Sequence, residues 1–268
     1  MPKSGEKEMS FLEHLEELRW RLVRSIVAVL AGSVIAFIFK EQILEFLIYP
    51  FNEAASMVAE DAGNGIVASN TKLIYLAPTE AFMVYIKLAV FAGLFIASPY
   101  VFYQLWKFIA PGLLEKEKRY VPYFVFFSTF FFMAGAFFCY FVVIKYGLHF
   151  LLSFQTETLE ANFAIREYLK FVTLMILTFG IVFEMPILSW FLTRVGILTP
   201  KFIREKRRFG IVGIFIVAAI LTPPDPFSQI ALAIPLIALY ENSIWVSRAA
   251  LPKDTLNEKS SLKVSDSC

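Results

Sequence analysis

Read from its amino terminus, the chain alternates between long uncharged apolar runs and short charged connections. The runs cover residues 25–39, 88–106, 120–144, 171–193, 209–222 and 228–240, and Glu184 is the one charge that interrupts any of them. An α-helix rises 1.5 Å per residue, so about 20 residues cross a hydrocarbon core of about 30 Å. Each run therefore predicts a membrane-crossing helix, over about 22–40, 81–106, 120–144, 168–193, 209–222 and 228–246. The 209–222 run reaches only about 21 Å. It predicts short fifth and sixth helices, with a thinned or wetted bilayer beside them; a buried or re-entrant segment is the alternative for a run of that length. The first run has the length of a signal-peptide core. Its long leader carries charges of both signs, however, and Lys40-Glu41 follows directly, so it reads as a retained helix.

Composition narrows the class. Hydrophobic residues make up 58% of the 268, charged residues 18%, and 30 residues are Phe; the mean hydropathy is +0.64. A soluble domain carries roughly 25% charged residues and needs them to cover its surface. A soluble enzyme, a disordered protein and a disulfide scaffold are all poor fits on this ground, and the fold class is an all-α polytopic membrane protein. Residues 1–252 form one six-helix domain, and the polar tail 253–268 is expected to be disordered. Cys139 lies in an apolar run and Cys268 ends the chain, so no disulfide is expected.

The net charge of +2 says less than the placement of the 25 cations. Six crossings put both termini on one side. The connections on that side hold 19 of the 25, grouped from Lys3 to Arg24, Lys107 to Arg119, Arg194 to Arg208 and Arg248 to Lys263. The positive-inside rule makes that side cytoplasmic. Trp20, Trp106, Trp190 and Trp245 fall at the same helix ends, where indoles anchor at the headgroup level. On the other side one long connection, 40–78, begins as a helix over 41–49 that Pro50 should stop; residues 61–65 read as a turn.

No phosphate loop, serine-hydrolase elbow or zinc-protease motif occurs, and His14 and His149 fall on opposite sides of the membrane. An ATP-driven pump and a zinc protease are therefore not supported, and no catalytic group, cofactor, metal or nucleic-acid partner is expected. Three features remain. Ser10-Phe-Leu-Glu13 is a capping box opening a helix, along which Phe11, Leu15, Leu18 and Leu22 form an apolar stripe beside Glu13, Glu16, Glu17, Arg19 and Arg21. An interfacial helix with solvated charges is the plain alternative there. The 103–120 connection carries aromatic residues, the turn Pro111-Gly112, and then Glu115 and Glu117. Rings and carboxylates together suit a peptide bearing arginines, because guanidinium stacks on rings and pairs with carboxylates; a simple turn with a Glu115–Arg119 pair is the alternative. Lastly, Glu184 lies within a span, where a carboxylate is costly and by default functional. An interhelical hydrogen bond is its structural alternative, and Pro186 should kink the helix beside it.

Taken together, these residues resemble the TatC family, the multispanning core component of the twin-arginine protein translocase. The matching stretches are Phe11-Leu-Glu-His-Leu-Glu-Glu-Leu-Arg19-Trp-Arg21-Leu, and Tyr103-Gln-x-Trp-x-Phe108-x-x-Pro111-Gly-Leu with Glu117-Lys-Arg119. Phe179-Gly-x-x-Phe-Glu184-x-Pro186 and Leu221-Thr-Pro-Pro-Asp225-x-Phe-Ser-Gln229 follow in family order. The resemblance implies a receptor rather than an enzyme: a cup-shaped bundle whose cytoplasmic face binds the twin-arginine signal peptides of folded precursors. By position, Glu17 and Glu117 would recognise the arginines, with Arg19, Phe108 and Pro111 shaping the site; Glu16 and Glu115 are alternatives for the same role. Pro50 and Asp225 match external-loop positions. Glu184 matches the family's intramembrane glutamate, expected to serve partner docking or as a polar gate, and the short fifth and sixth helices would also offer docking.

The resemblance further implies TatA- and TatB-type single-span partners, self-association within a receptor complex, and export driven by the proton-motive force without ATP. It places the chain in the bacterial cytoplasmic (inner) membrane with both termini inside. A secondary transporter or channel using Glu184 as its ion or proton site is the competing reading. Against it, no pair of broken helices falls in corresponding halves of the chain. An intramembrane protease lacks a Ser/His or paired-Asp set within the spans.

Overall fold

A computed structural model describes residues 11–61, 73–110, 119–153, 163–221 and 226–250. Helix α1 (Phe11–Ile38) is followed by α2 (Lys40–Asp61), α3 (Glu80–Ile109) and α4 (Val121–Phe138). A π-helical turn, Cys139–Ile144, carries α4 on into α5 (Lys145–Leu152). Then come α6 (Ile165–Phe183), α7 (Met185–Arg194), α8 (Pro200–Glu205), α9 (Arg207–Leu221) and α10 (Pro226–Ala249). Two short strands, β1 (Leu73–Ile74) and β2 (Phe163–Ala164), pair in parallel with Leu73 opposite Phe163. Ser10, the turn residues 62–65, Pro111, Glu115, Glu117, Asp225 and the tail 253–268 lie outside the described residues.

Among the described residues, four helical stretches are long and apolar enough to cross a membrane: Leu12–Ile38, Glu80–Ile109, Val121–Leu152 and Ile165–Arg194. They fall on the first four expected spans. Helix α9 has 15 residues, about 22 Å, as short as its apolar run predicts. The helix at the sixth expected span departs from expectation. With 24 residues, about 36 Å, α10 outlasts its apolar run, because its polar end packs on α7 instead of fraying. The Ser189 hydroxyl donates to the Ser243 carbonyl at 2.9 Å, and Thr193 and Ser247 share a hydrogen bond of 2.6 Å between their hydroxyls. All four side chains are buried.

The chain divides into two compact units, Met1–Leu44 with Phe82–Thr129, and Glu45–Ala81 with Phe130–Cys268. In the first, α1 turns its polar and small residues inward. His14, Glu17, Arg21 and Ser25 are half-buried, and Gly32, Ser33 and Ala36 buried, all on one face by their three- and four-residue spacing. Leu15, Leu18 and Leu22 of the apolar stripe are exposed. Lipid is as apolar as leucine, so it is the polar and small residues that gain from a protein neighbour. At the crossing of α1 and α3 the backbones nearly touch: a Cβ on Gly93 would lie 2.4 Å from the Ser33 amide nitrogen.

Farther along α3, Trp106 is 1% exposed. It stacks on Phe124 of α4 with ring centroids 4.6 Å apart and donates its indole N–H to the Ser128 hydroxyl at 3.0 Å. Trp106 is therefore a core residue and not the headgroup anchor its place at a helix end suggests. Trp20 and Trp245 are exposed, as anchors would be.

In the second unit Pro50 does not stop α2, which runs on to Asp61 with the proline buried inside it. Proline lacks an N–H and deprives the carbonyl four residues back, that of Phe46, of its helical donor. The Tyr140 hydroxyl donates to that carbonyl at 2.6 Å, and the Tyr168 hydroxyl to the adjacent Leu47 carbonyl at 2.7 Å. Tyr140 supplies the donor that the proline removes, Tyr168 adds a bond to the next carbonyl, and the helix continues. Tyr168→Phe is expected to lower stability by about 1 kcal/mol, read as a fall in Tm of the detergent-solubilised protein.

Glu80, at 8% exposure, is a buried carboxylate of the same unit. It accepts the backbone N–H groups of Leu76 (2.7 Å), Ala77 (3.3 Å) and Arg166 (3.2 Å). One side chain thereby fastens the segment after β1 to the first turn of α6.

Candidate functional site

The polar face of α1 meets α3 in a small cluster. Residues 14, 17 and 21 share one side of α1, and Gln104 and Phe108 lie one turn apart on α3. The His14 ring stacks on Phe108, with centroids 4.4 Å apart and planes 16° from parallel. One turn farther, Arg21 donates Nε to Glu17 Oε1 at 2.9 Å and brings Nη2 to the same oxygen. Its Nη1 reaches toward Gln104 Oε1 at 3.5 Å, a long and weak contact. The side chains of Arg21 and Glu17 are 11% and 22% exposed. Glu17 Oε2 is buried and takes no hydrogen bond among the described residues. The cluster thus holds a half-buried carboxylate with one oxygen engaged and the other buried without a hydrogen bond among the described residues, beside an aromatic pair.

The other candidates fall elsewhere. Arg19 and Glu16 are exposed, and Arg19 lies two residues past Glu17 and so on the opposite side of α1. Pro111, Glu117 and Glu115 are outside the described residues. Pro50 sits within α2, and Asp225 is again outside the described residues. Glu184 is 7% exposed at the junction of α6 and α7. Its N–H turns back to the Ile181 carbonyl at 3.1 Å, its carbonyl starts α7 by accepting from Leu188 at 2.9 Å, and Pro186 occupies the first turn. The expected interruption by Pro186 is therefore present, and it puts a carboxylate at a break inside the Ile165–Arg194 stretch.

Motif and resemblance give His14, Arg21 and Gln104 no site role. The signal was available in the 14, 17, 21, 25 spacing, which puts a polar stripe on one face of α1. Among the described residues, no group of three or more His, Cys, Asp and Glu side chains is placed to hold a metal ion.

Comparison with known proteins gives this geometry its context. The family described as Sec-independent protein translocase protein (TatC) matches residues 13–235. The chain belongs to the TatC family. It is 41% identical over 264 residues to the TatC of Desulforapulum autotrophicum, covering 98% of this chain and 93% of that one. It is likewise 41% identical to the TatC of Magnetococcus marinus over 91% of this chain and 85% of the relative. A crystal structure of the twin-arginine translocase receptor TatC superposes with a TM-score of 0.78 at 38% identity, over 89% of this chain and 99% of that one. TatC is a component of a protein translocase and belongs to transport, not enzymology. The all-α, multi-pass membrane fold and the role as a core translocase component follow from this membership.

Proposed function

We propose that the chain is the signal-peptide receptor of its translocase, with Glu17 and Glu117 receiving the two arginines of a twin-arginine signal peptide at the cytoplasmic face. The observation that carries this reading is the Glu17 carboxylate, half-buried with one oxygen lacking any hydrogen bond among the described residues and set on the helix pair that carries Phe108. Pro111 shapes the approach, whereas Arg19, exposed on the side of α1 away from Glu17, does not face it. A hydrogen bond to a charged group contributes roughly 1.5–3 kcal/mol, so each carboxylate carries about ten- to hundredfold in affinity.

Around this site, six spans, α9 and α10 included, keep both termini on the cytoplasmic side of the bacterial inner membrane. TatA- and TatB-type single-span proteins dock near Glu184 and the short α9, whose Phe209, Val212, Ile216 and Ile220 are exposed. Further copies of the chain join the receptor complex, Pro50 and Asp225 serve the external face, and the proton-motive force drives export. In membranes holding the whole translocase, Glu17→Gln is expected to abolish photocrosslinking of a twin-arginine precursor, as is Glu117→Gln. Crosslinking at the unaltered level in either variant would remove that residue from the site.

A further inference from the structure

We infer that Arg21, steadied by Gln104, makes Glu17 selective for a guanidinium over an ammonium; this rests on the reading of Glu17 as an arginine acceptor. Arg21 is itself an arginine already seated on that carboxylate. Two of its N–H groups converge on Oε1, its third nitrogen points at Gln104, and its backbone carbonyl accepts the Ser25 hydroxyl at 3.0 Å. With its side chain only 11% exposed, it is a resident part of the site and not a loose counterion.

The consequence lies in what Glu17 has left to give. A carboxylate offers two oxygens; here Oε1 is engaged, while Oε2 is buried and has no hydrogen-bond partner among the described residues. Paired with Arg21, the group carries no net charge, so an incoming cation finds little point-charge attraction. It must gain from directional hydrogen bonding and from ring contact. Guanidinium can do this: it is weakly hydrated and planar, with five donors, and can address Oε2 while its face rests on an aromatic ring such as Phe108. An ammonium is strongly hydrated and binds chiefly as a point charge. Arg21 therefore handicaps lysine more than arginine. Without it, the bare carboxylate would draw either cation.

The test is competitive binding of two synthetic signal peptides, identical except for Arg-Arg or Lys-Lys, to the full-length chain in membranes with its complex. In Arg21→Gln the Lys-Lys peptide is expected to gain, and the preference for Arg-Arg to shrink about tenfold. Gln104→Leu moves both in the same direction by less, while Arg21→Lys keeps the charge and most of the preference. If Arg21→Gln weakens both peptides in proportion, Arg21 is structural only and the inference is overturned. Glu17→Gln, run in parallel, tests the underlying reading separately: undiminished Arg-Arg binding there would remove Glu17 from the site altogether.

Discussion

Replacing Trp106 by alanine is expected to cost about 3–5 kcal/mol of stability and to loosen the end of α3 that carries Gln104 and Phe108. Trp106 is among the largest fully buried side chains, stacked on Phe124 and bonded to the Ser128 hydroxyl. Alanine would lose the packing, open a cavity and leave Ser128 without this donor. The position relative to the site matters as much as the energy. Residues 104 and 108 share one side of α3, and 106 lies about 200° away from 104, so Trp106 holds the helix from behind while its front meets α1. Thermal unfolding in detergent should show the loss in Trp106→Ala. Trp106→Phe, which keeps a ring but not the N–H, should retain most of the stability. A change below about 1 kcal/mol in the alanine variant would mean that α3 is held elsewhere.

The second large effect is expected at Gly93. A Cβ there would stand 2.4 Å from the Ser33 nitrogen and hydroxyl and 2.7 Å from its Cα. Much of that obstacle is the backbone of another helix, which no side-chain rotation can relieve. Gly93→Val therefore has to push α1 and α3 apart, at about 3 kcal/mol, the upper end for overpacking, or more. It also separates His14 from Phe108 and Arg21 from Gln104. Thermal unfolding together with signal-peptide binding would read both consequences. Gly147 is the control: nothing lies within 4 Å of its Cβ position, so alanine there should not destabilise. A Gly93→Val protein as stable as that control would refute the close crossing.

The four long apolar helices were legible in the sequence because a hydrocarbon environment writes itself as runs free of charge. What was hidden depends on partners far along the chain. Nothing near Pro50 announces that tyrosines 140 and 168 will serve carbonyls in the turn before it, so a helix end was the natural expectation. The length of α10 rests on Ser189 and Thr193, more than 50 residues away. At the candidate site, motif resemblance marks Glu17. It gives Arg21 no role, because charges at a helix start read as solvated until a second helix is known to cover them. Glu80 was missed for a related reason: its acceptors' partners are backbone amides, which leave no trace in residue type.

The two tyrosines at Pro50 also bear on the timing of synthesis. Tyr140 and Tyr168 follow the carbonyls they serve by 94 and 121 residues. At roughly 5–20 residues per second on the ribosome, roughly 6–24 s pass between the appearance of Leu47 and that of Tyr168. Until Tyr140 arrives, water must hydrate the Phe46 carbonyl, which has no helical donor, since hydrocarbon offers none. The first half of α2 is therefore made early but completed only once α6 emerges, more than a hundred residues later.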